Sequence, residues 1–268
     1  MLGTVFLLIG IYVAICLSFY FFQHFAFFRP EILPSGFKYA YSFPFEELLF
    51  TTEDGGTINA IYFKVPSSRG VVYYLKGNSR SIKGWGKFAK DFLSNGYDFV
   101  MFDYRGFGKS KGKRTQKKLF ADAQLMYDWL KDRYAEEQII VYGRSLGSGI
   151  AARIASWNQP QLLILDSPYL SFYHNVKRFL FWTPLKLILR YNIRTDIYLE
   201  TVDCPVYIIH GTHDRLFPIK QSEELKEMFS EKIKLIEIEG AGHNNLPDYP
   251  EFFEAIYDVL DEKTPQLK

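Results

Sequence analysis

The sequence predicts an α/β protein: a mostly parallel sheet covered by helices on both faces, with one apolar helix set apart at the N-terminus. Three observations predict it. Beyond about residue 45, strand-length apolar runs alternate with helix-length amphipathic runs, the order that builds a parallel sheet with helical crossovers. At 268 residues the chain can hold one large domain with a substantial core. Finally, Leu2 to Phe28 contains no Asp, Glu, Lys or Arg, and His24 is its one basic side chain.

That first stretch exceeds the roughly 20 residues a helix needs to cross a bilayer. A cleaved signal would carry a basic start, a shorter apolar core and a small-x-small site. Here no Lys or Arg precedes the apolar run, which continues through Phe19-Tyr20-Phe21-Phe22 into Phe25-Ala26-Phe27-Phe28, aromatics suited to a membrane interface. Residues 3–23 are therefore read as a retained membrane anchor within an N-terminal segment, 1–28. Arg29 and Lys38 follow it, so the positive-inside tendency puts the globular part in the cytoplasm. Residues 29–45, with three prolines and a glycine, form a connector, and 46–268 form the globular domain.

Within that domain, Glu47–Thr52 and Thr57–Val65 read as strands around Asp54-Gly55-Gly56, a hairpin signal. Further strands are expected at Gly70–Leu75, Tyr97–Phe102, Ile139–Tyr142, Leu162–Leu165, Pro205–Ile209 and Ile233–Ile238. Helices are expected at Trp85–Leu93, Lys117–Tyr134, Ser148–Trp157, Gln221–Phe229 and Tyr249–Leu260. In the second of these, Leu119, Ala123, Met126, Trp129 and Leu130 recur at helical spacing. Residues 167–203 are a long insertion rich in aromatic and aliphatic side chains, with Lys177, Arg178, Lys186 and Arg190 interspersed. An insertion of this kind reads as a helical cap over a site.

The formal charge of +2 gives no case for nucleic acid as a partner. The two cysteines, Cys16 and Cys204, imply no disulfide framework, and neither Cys-x-x-Cys nor His-Glu-x-x-His occurs. No metal or other cofactor is expected.

The chemistry-bearing motif is Gly143-Arg144-Ser145-Leu146-Gly147, placed between a strand and a helix. It reads as a nucleophile elbow, a sharp turn that holds a serine hydroxyl at its tip and demands small flanking residues. A serine needs a base, and the base needs an orienting carboxylate. His243 follows the strand at Ile233–Ile238 and Asp214 follows the strand at Pro205–Ile209. Loops beyond the carboxyl ends of parallel strands converge on one edge, where Ser145, Asp214 and His243 would meet. Asp166, at the end of another strand, is the alternative acid. His210 and His213 lack the further ligands a metal site needs and read as loop residues. His174 and the Asp103/Arg105 pair read as structural. Lys109, Lys111, Lys113, Arg114, Lys117 and Lys118 form a basic cluster, read as a solvated loop or as a contact for anionic headgroups.

These pieces occur in fixed order with Lys76-Gly77-Asn78, Asp103-Tyr104-Arg105-Gly106-Phe107-Gly108-Lys109-Ser110, His210-Gly211-Thr212-His213-Asp214 and Gly242-His243-Asn244. Together they span residues ~45–262 and resemble the α/β-hydrolase superfamily. Within it the chain looks like the membrane-tethered, Bem46-like, serine-aminopeptidase-like esterase branch. The resemblance implies Ser145 as nucleophile, His243 as general base then acid, Asp214 as its orienter, and the backbone N–H groups of Asn78 and Leu146 as an oxyanion hole. One departure stands out: the family usually has His-Gly-Asn where this chain has Lys76, which brings a cation close to the site. The expected activity is hydrolysis of an acyl bond, ester or thioester, in a small-molecule or lipid-like substrate. An aminopeptidase-like peptidase and a non-catalytic membrane scaffold are the alternatives.

Overall fold

A computed structural model describes residues 2–262; Met1 of the expected anchor segment and residues 263–268 of the expected globular domain lie outside the described residues. The helix α1 (Leu2–Phe27) opens the chain, followed by the hairpin of β1 (Phe45–Thr51) and β2 (Thr57–Phe63), paired antiparallel with Leu48 opposite Ala60. The Asp-Gly-Gly signal sets the turn. Gly55 adopts φ +75°, and the Thr52 hydroxyl donates to Asp54 Oδ1 at 2.7 Å.

The remaining strands are β3 (Val71–Leu75), β4 (Asp98–Phe102), β5 (Ile139–Arg144), β6 (Leu162–Asp166), β7 (Val206–Gly211) and β8 (Ile233–Ile238). Among the described residues they form one sheet in the order β1-β2-β4-β3-β5-β6-β7-β8, antiparallel only at β1–β2 and β2–β4. Side chains alternate across a strand, so β3 feeds two cores: Val71, Tyr73 and Leu75 on one face, Val72 and Tyr74 on the other.

Between β3 and β4 run α2 (Ile82–Trp85) and α3 (Ala89–Leu93), joined by a 3₁₀ turn at Gly86–Phe88. The single helix expected at Trp85–Leu93 is thus broken and begins earlier. Tyr41 packs flat on Gly86, where a Cβ would lie 2.3 Å from the ring. The helix α4 (Gln116–Lys131), capped by Thr115, and α5 (Leu146–Ala155) cover the first face, with Leu119, Ala123, Met126, Ile150 and Ile154 in its core.

The 167–203 insertion contains α6 (Phe172–Leu180), α7 (Leu185–Ile188) and α8 (Thr195–Glu200), its ends tied by the Phe172 N–H donating to Ile193 O at 3.0 Å. The remaining helices are α9 (Lys220–Met228) and α10 (Pro250–Glu262). Phe252, Ile256 and Val259 of α10 join Phe92 and Leu93 on the second face.

By length and composition α1 is able to cross a membrane, with a mean hydropathy of 2.5 over its most apolar stretch and most side chains exposed. Its last turns are docked. Gln23 is buried between α1 and the insertion: its amide donates to Ile188 O and its carbonyl accepts from Arg190 N, both at 2.8 Å. Phe27 makes edge contacts with Phe172 and Tyr191. The connector is docked as well. Gly108 N donates to Glu31 O, Leu33 N donates to Gly108 O, and the Glu31 carboxylate takes hydrogen bonds from Ser81.

Candidate active site

The elbow follows from covalent and steric constraints. Ser145 sits at φ +53°, ψ −118°, a strained conformation for a non-glycine residue, at the abrupt junction of β5 and α5. The turn closes only because its flanks lack side chains. A Cβ on Gly147 would lie 1.9 Å from Leu75 O, and one on Gly143 would lie 2.5 Å from Ala151 Cβ. Behind the turn, Ser145 N donates to Asp166 O at 2.9 Å.

The structure brings Ser145, His243 and Asp214 together although 29 residues or more separate any two along the chain. Ser145 Oγ lies 2.8 Å from His243 Nε2, and His243 Nδ1 lies 2.6 Å from Asp214 Oδ2. A carboxylate on Nδ1 fixes the proton there and leaves Nε2 as the acceptor facing the hydroxyl. Asp214 is in turn held by Leu216 N and Phe217 N, each donating to Oδ1 at 2.8 Å. Burial pushes its carboxyl up. The hydrogen bonds from His210 and His243 outweigh that and hold it well below the usual carboxylate range.

His210 is a second imidazole on the same carboxylate. Its Nε2 faces both Phe217 O (2.9 Å) and Asp214 Oδ2 (3.2 Å), two acceptors, so Nε2 carries the proton and Nδ1 accepts from Ser222 Oγ at 2.6 Å. Both ring nitrogens are committed within the protein, while His213 is exposed. Asp166, the other candidate acid, faces elsewhere: it accepts from Tyr142 OH at 2.9 Å and lies 3.5 Å from Arg144 Nε.

Asn78 and Leu146 flank Ser145 from two sides. Leu146 is the first residue of α5, and the Lys76-Gly77-Asn78 loop passes so close that a Cβ on Gly77 would lie 3.7 Å from Ser145 Cβ. Among the described residues neither backbone N–H has an acceptor. Lys76 does not offer a free cation. It is fully buried, 3.4 Å from Asp103 Oδ1 and 3.9 Å from the Phe107 ring centre, and its ammonium donates to Arg80 O at 3.2 Å. Burial drives Lys76 down to about 8 against the opposing pull of Asp103, and pushes Asp103 up to about 6. Asp103 also accepts from Ile82 N, so this one pair fixes both ends of the loop between β3 and α2. Arg105 belongs to a separate network, with a two-pronged bond to Asp122 and another to Asp54.

Three positions carry no sequence signal for their roles. Arg144 lies between Asp166 and the backbone of the histidine loop, its Nη2 donating to His243 O at 3.4 Å. Phe27 and Arg29 clasp Asn78: its side-chain amide donates to Phe27 O at 2.9 Å, and its carbonyl accepts from Arg29 N at 2.8 Å. Only their position at the end of the apolar segment hints at contact with the domain. The basic cluster is divided. Lys109 pairs with Glu47 and Lys118 with Asp54, while Lys111, Lys113 and Lys117 remain exposed.

Residues 66–200 match the family model described as serine aminopeptidase, S33. The lysophosphatidylserine lipase ABHD12 of Danio rerio is 30% identical over 189 residues, 63% of this chain and 50% of the relative, so the chain spans about half that protein's length. The alpha/beta hydrolase domain-containing protein 17C of Xenopus tropicalis is 27% identical over 82% of this chain and 71% of the relative. Among solved structures, an esterase from Pyrococcus furiosus superposes with a TM-score of 0.70 at 23% identity, covering 88% of this chain and 100% of its own.

Proposed function

The chain belongs to the serine aminopeptidase S33 family of the α/β-hydrolase superfamily, and from that premise we propose that it is a membrane-anchored serine hydrolase of carboxylic esters or thioesters. The observation that carries this reading is the continuous relay from Ser145 Oγ through His243 to Asp214, with contacts of 2.8 and 2.6 Å. Ser145 Oγ attacks the substrate carbonyl carbon as its proton passes to His243 Nε2. The negative charge that forms on the carbonyl oxygen meets the N–H groups of Asn78 and Leu146; one such donor is worth about 10²–10³ in kcat. The tetrahedral species collapses, and His243 gives its proton to the departing alcohol or thiol. Water, deprotonated by His243, then attacks the acyl-enzyme, releasing the acid and restoring Ser145. Asp214 stays ionised throughout and stabilises the imidazolium.

An ester or thioester is favoured over a peptide with a free amino terminus. An aminopeptidase needs a carboxylate placed to bind an α-ammonium; the insertion's acidic residues, Asp196, Glu200 and Asp203, all lie near its end, and Asp196 is already paired with Arg194 at 2.6 Å. The span of α1 supplies the anchor, and the apolar character of the insertion suits an acyl substrate.

Labelling of the full chain with a fluorophosphonate tests the reading. The native protein should label and Ser145→Ala should not; equal labelling of both, or of neither, refutes the nucleophile. Turnover of p-nitrophenyl esters but not of aminoacyl-nitroanilides is expected, and the reverse preference would make the protein a peptidase.

A further inference from the structure

Two cavities lie end to end along α1, on the side where it docks against the insertion. One, about 320 Å³, is an apolar cleft between α1 and α7, walled by Leu17, Tyr20, Pro184 and Ile188. The other, about 340 Å³, lies at the end of α1 and is lined by His24, Arg105, Lys113, Arg114, Arg190 and Tyr191. Gln23 fixes the junction through its bonds to Ile188 and Arg190, and the Arg190 guanidinium lies 5.4 Å from the Tyr20 ring centre. Ile188 and Tyr20 belong to the first cavity, Arg190 to the second, so one wall passes into the next.

The second cavity is a site for negative charge. No carboxylate lines it. Arg105 is neutralised by Asp122 and Asp54, but Lys113, Arg114 and Arg190 have no carboxylate partner among the described residues. Arg114 is held in place by stacking on Phe28 at 4.2 Å and by its Nη1 donating to Arg105 O at 2.6 Å. A fixed guanidinium beside two exposed cations suits a phosphate group.

Depth selects the source of that phosphate. A hydrocarbon core about 30 Å thick takes up roughly 20 residues of helix, so in a spanning α1 of 26 residues His24 and Phe27 lie among the headgroups and the Leu17–Tyr20 cleft lies in the acyl layer. Charge at headgroup depth and an apolar cleft below it match one molecule. We infer that the α1–insertion junction binds an anionic glycerophospholipid, its phosphate among Lys113, Arg114 and Arg190 and one acyl chain in the cleft between α1 and α7. The site is built by the anchor and is complete only with α1 in place. The inference rests on α1 spanning the membrane and is independent of the hydrolytic reading.

The test uses the full chain in nanodiscs of dialkyl-ether phosphatidylcholine doped with a fluorescent dialkyl-ether phosphatidic acid. Ether lipids contain no bond for a serine hydrolase to cleave, so binding is read without turnover and stands apart from the fluorophosphonate result. Energy transfer from the protein's tryptophans to the doped lipid should saturate. Half-saturation should need at least tenfold more anionic lipid in Lys113→Gln/Arg190→Gln, two exposed positions whose loss leaves the core untouched. A remote control, Lys226→Gln/Lys234→Gln, should match the native protein. The inference is overturned if both double variants bind as the native chain does, or if both weaken equally, which would mean diffuse attraction. It is also overturned if inorganic phosphate displaces the lipid at equal concentration, which would make the site one for free phosphate.

Discussion

Lys76→Met removes the cation of a pair in which neither side chain reaches solvent, and the size of the effect follows from what is left behind. Asp103 keeps the Ile82 amide but loses the ammonium. Breaking a buried pair in this way costs about 3–5 kcal/mol, an expected fall in Tm of roughly 6–20 °C for a domain of this size. The pH dependence gives the distinguishing signature. A carboxyl whose folded pKa is raised contributes stability below its unfolded pKa and loses it as pH rises through the folded value. Asp103 stands at about 6 with Lys76 present, and Lys76 is the main influence opposing burial. In Lys76→Met it must stand higher. Between the two values the variant keeps a proton that the native protein has lost, so its deficit widens upward from about pH 6, by up to about 1.4 kcal/mol per pH unit.

Asp103→Asn should show the opposite trend. It strands Lys76, whose folded value drops below about 8. Below that pH the variant's native state lacks a proton that its unfolded state holds, so its deficit narrows as pH rises toward 8. Replacing both residues with apolar ones, Lys76→Met/Asp103→Leu, should recover most of the loss, because each single change carries the cost of an unpaired buried charge. Thermal unfolding of the full chain in detergent between pH 5 and 9 measures all three variants. Parallel pH profiles for the two single variants, or a Lys76→Met deficit under about 1 kcal/mol, would refute the pairing as the support of the loop beside Ser145.

Three further outcomes are expected. Gly147→Ala drives a methyl into Leu75 O and should lower Tm by a few degrees or more, given that overpacking costs about 1–3 kcal/mol; Gly36→Ala, with open space around it, should leave melting unchanged. Asp214 is held below its unfolded pKa, so its stabilisation is complete above about pH 4 and fades as pH falls below that. The Tm gap between the native chain and Asp214→Asn should close on acidification, and a gap that stays constant down to pH 3 would contradict the hydrogen-bonding account. Gln23→Leu leaves Ile188 O and Arg190 N–H without their partner, a loss of about 1–3 kcal/mol; hydrogen exchange at residues 185–191 should quicken while β3 and β5 stay protected.

The strands were legible in the sequence because burial on both faces writes them as short apolar runs, and Ile233–Ile238 is bounded as expected. The juxtaposition of Ser145, Asp214 and His243 was legible because parallel topology delivers strand ends to one rim. What pattern alone missed depends on contacts between distant segments. The helix is broken at Gly86, where Tyr41 leaves no room for a Cβ, and no local period encodes that contact. The Lys76–Asp103 pairing turns an expected active-site cation into a buried strut, a fate set by depth and not by residue type. The six-residue basic cluster looked uniform in sequence because Glu47 and Asp54, which neutralise part of it, lie more than 60 positions from the residues they pair.

The same kind of long-range contact changes what α1 is for. A simple tether needs only apolar length, and any sequence of similar hydropathy would serve. Here the end of the helix and the residues just beyond it present two backbone groups to Asn78, with Phe27 O accepting its side-chain amide and Arg29 N donating to its carbonyl, while Arg80 N donates back to Arg29 O. These bonds hold the loop at Asn78, so Asn78 is fixed between a buried ion pair and the end of α1. The proposed mechanism uses the Asn78 N–H as a donor, which must be held to within about 0.5 Å, and part of that restraint comes from a helix outside the sheet. Deleting residues 1–28 to obtain a soluble domain therefore removes Phe27 O, the aromatic packing of Phe27 and Phe28 and one wall of both cavities. Weak activity in such a fragment would reflect a loosened loop as much as a lost membrane, which is why the experiments above use the whole chain.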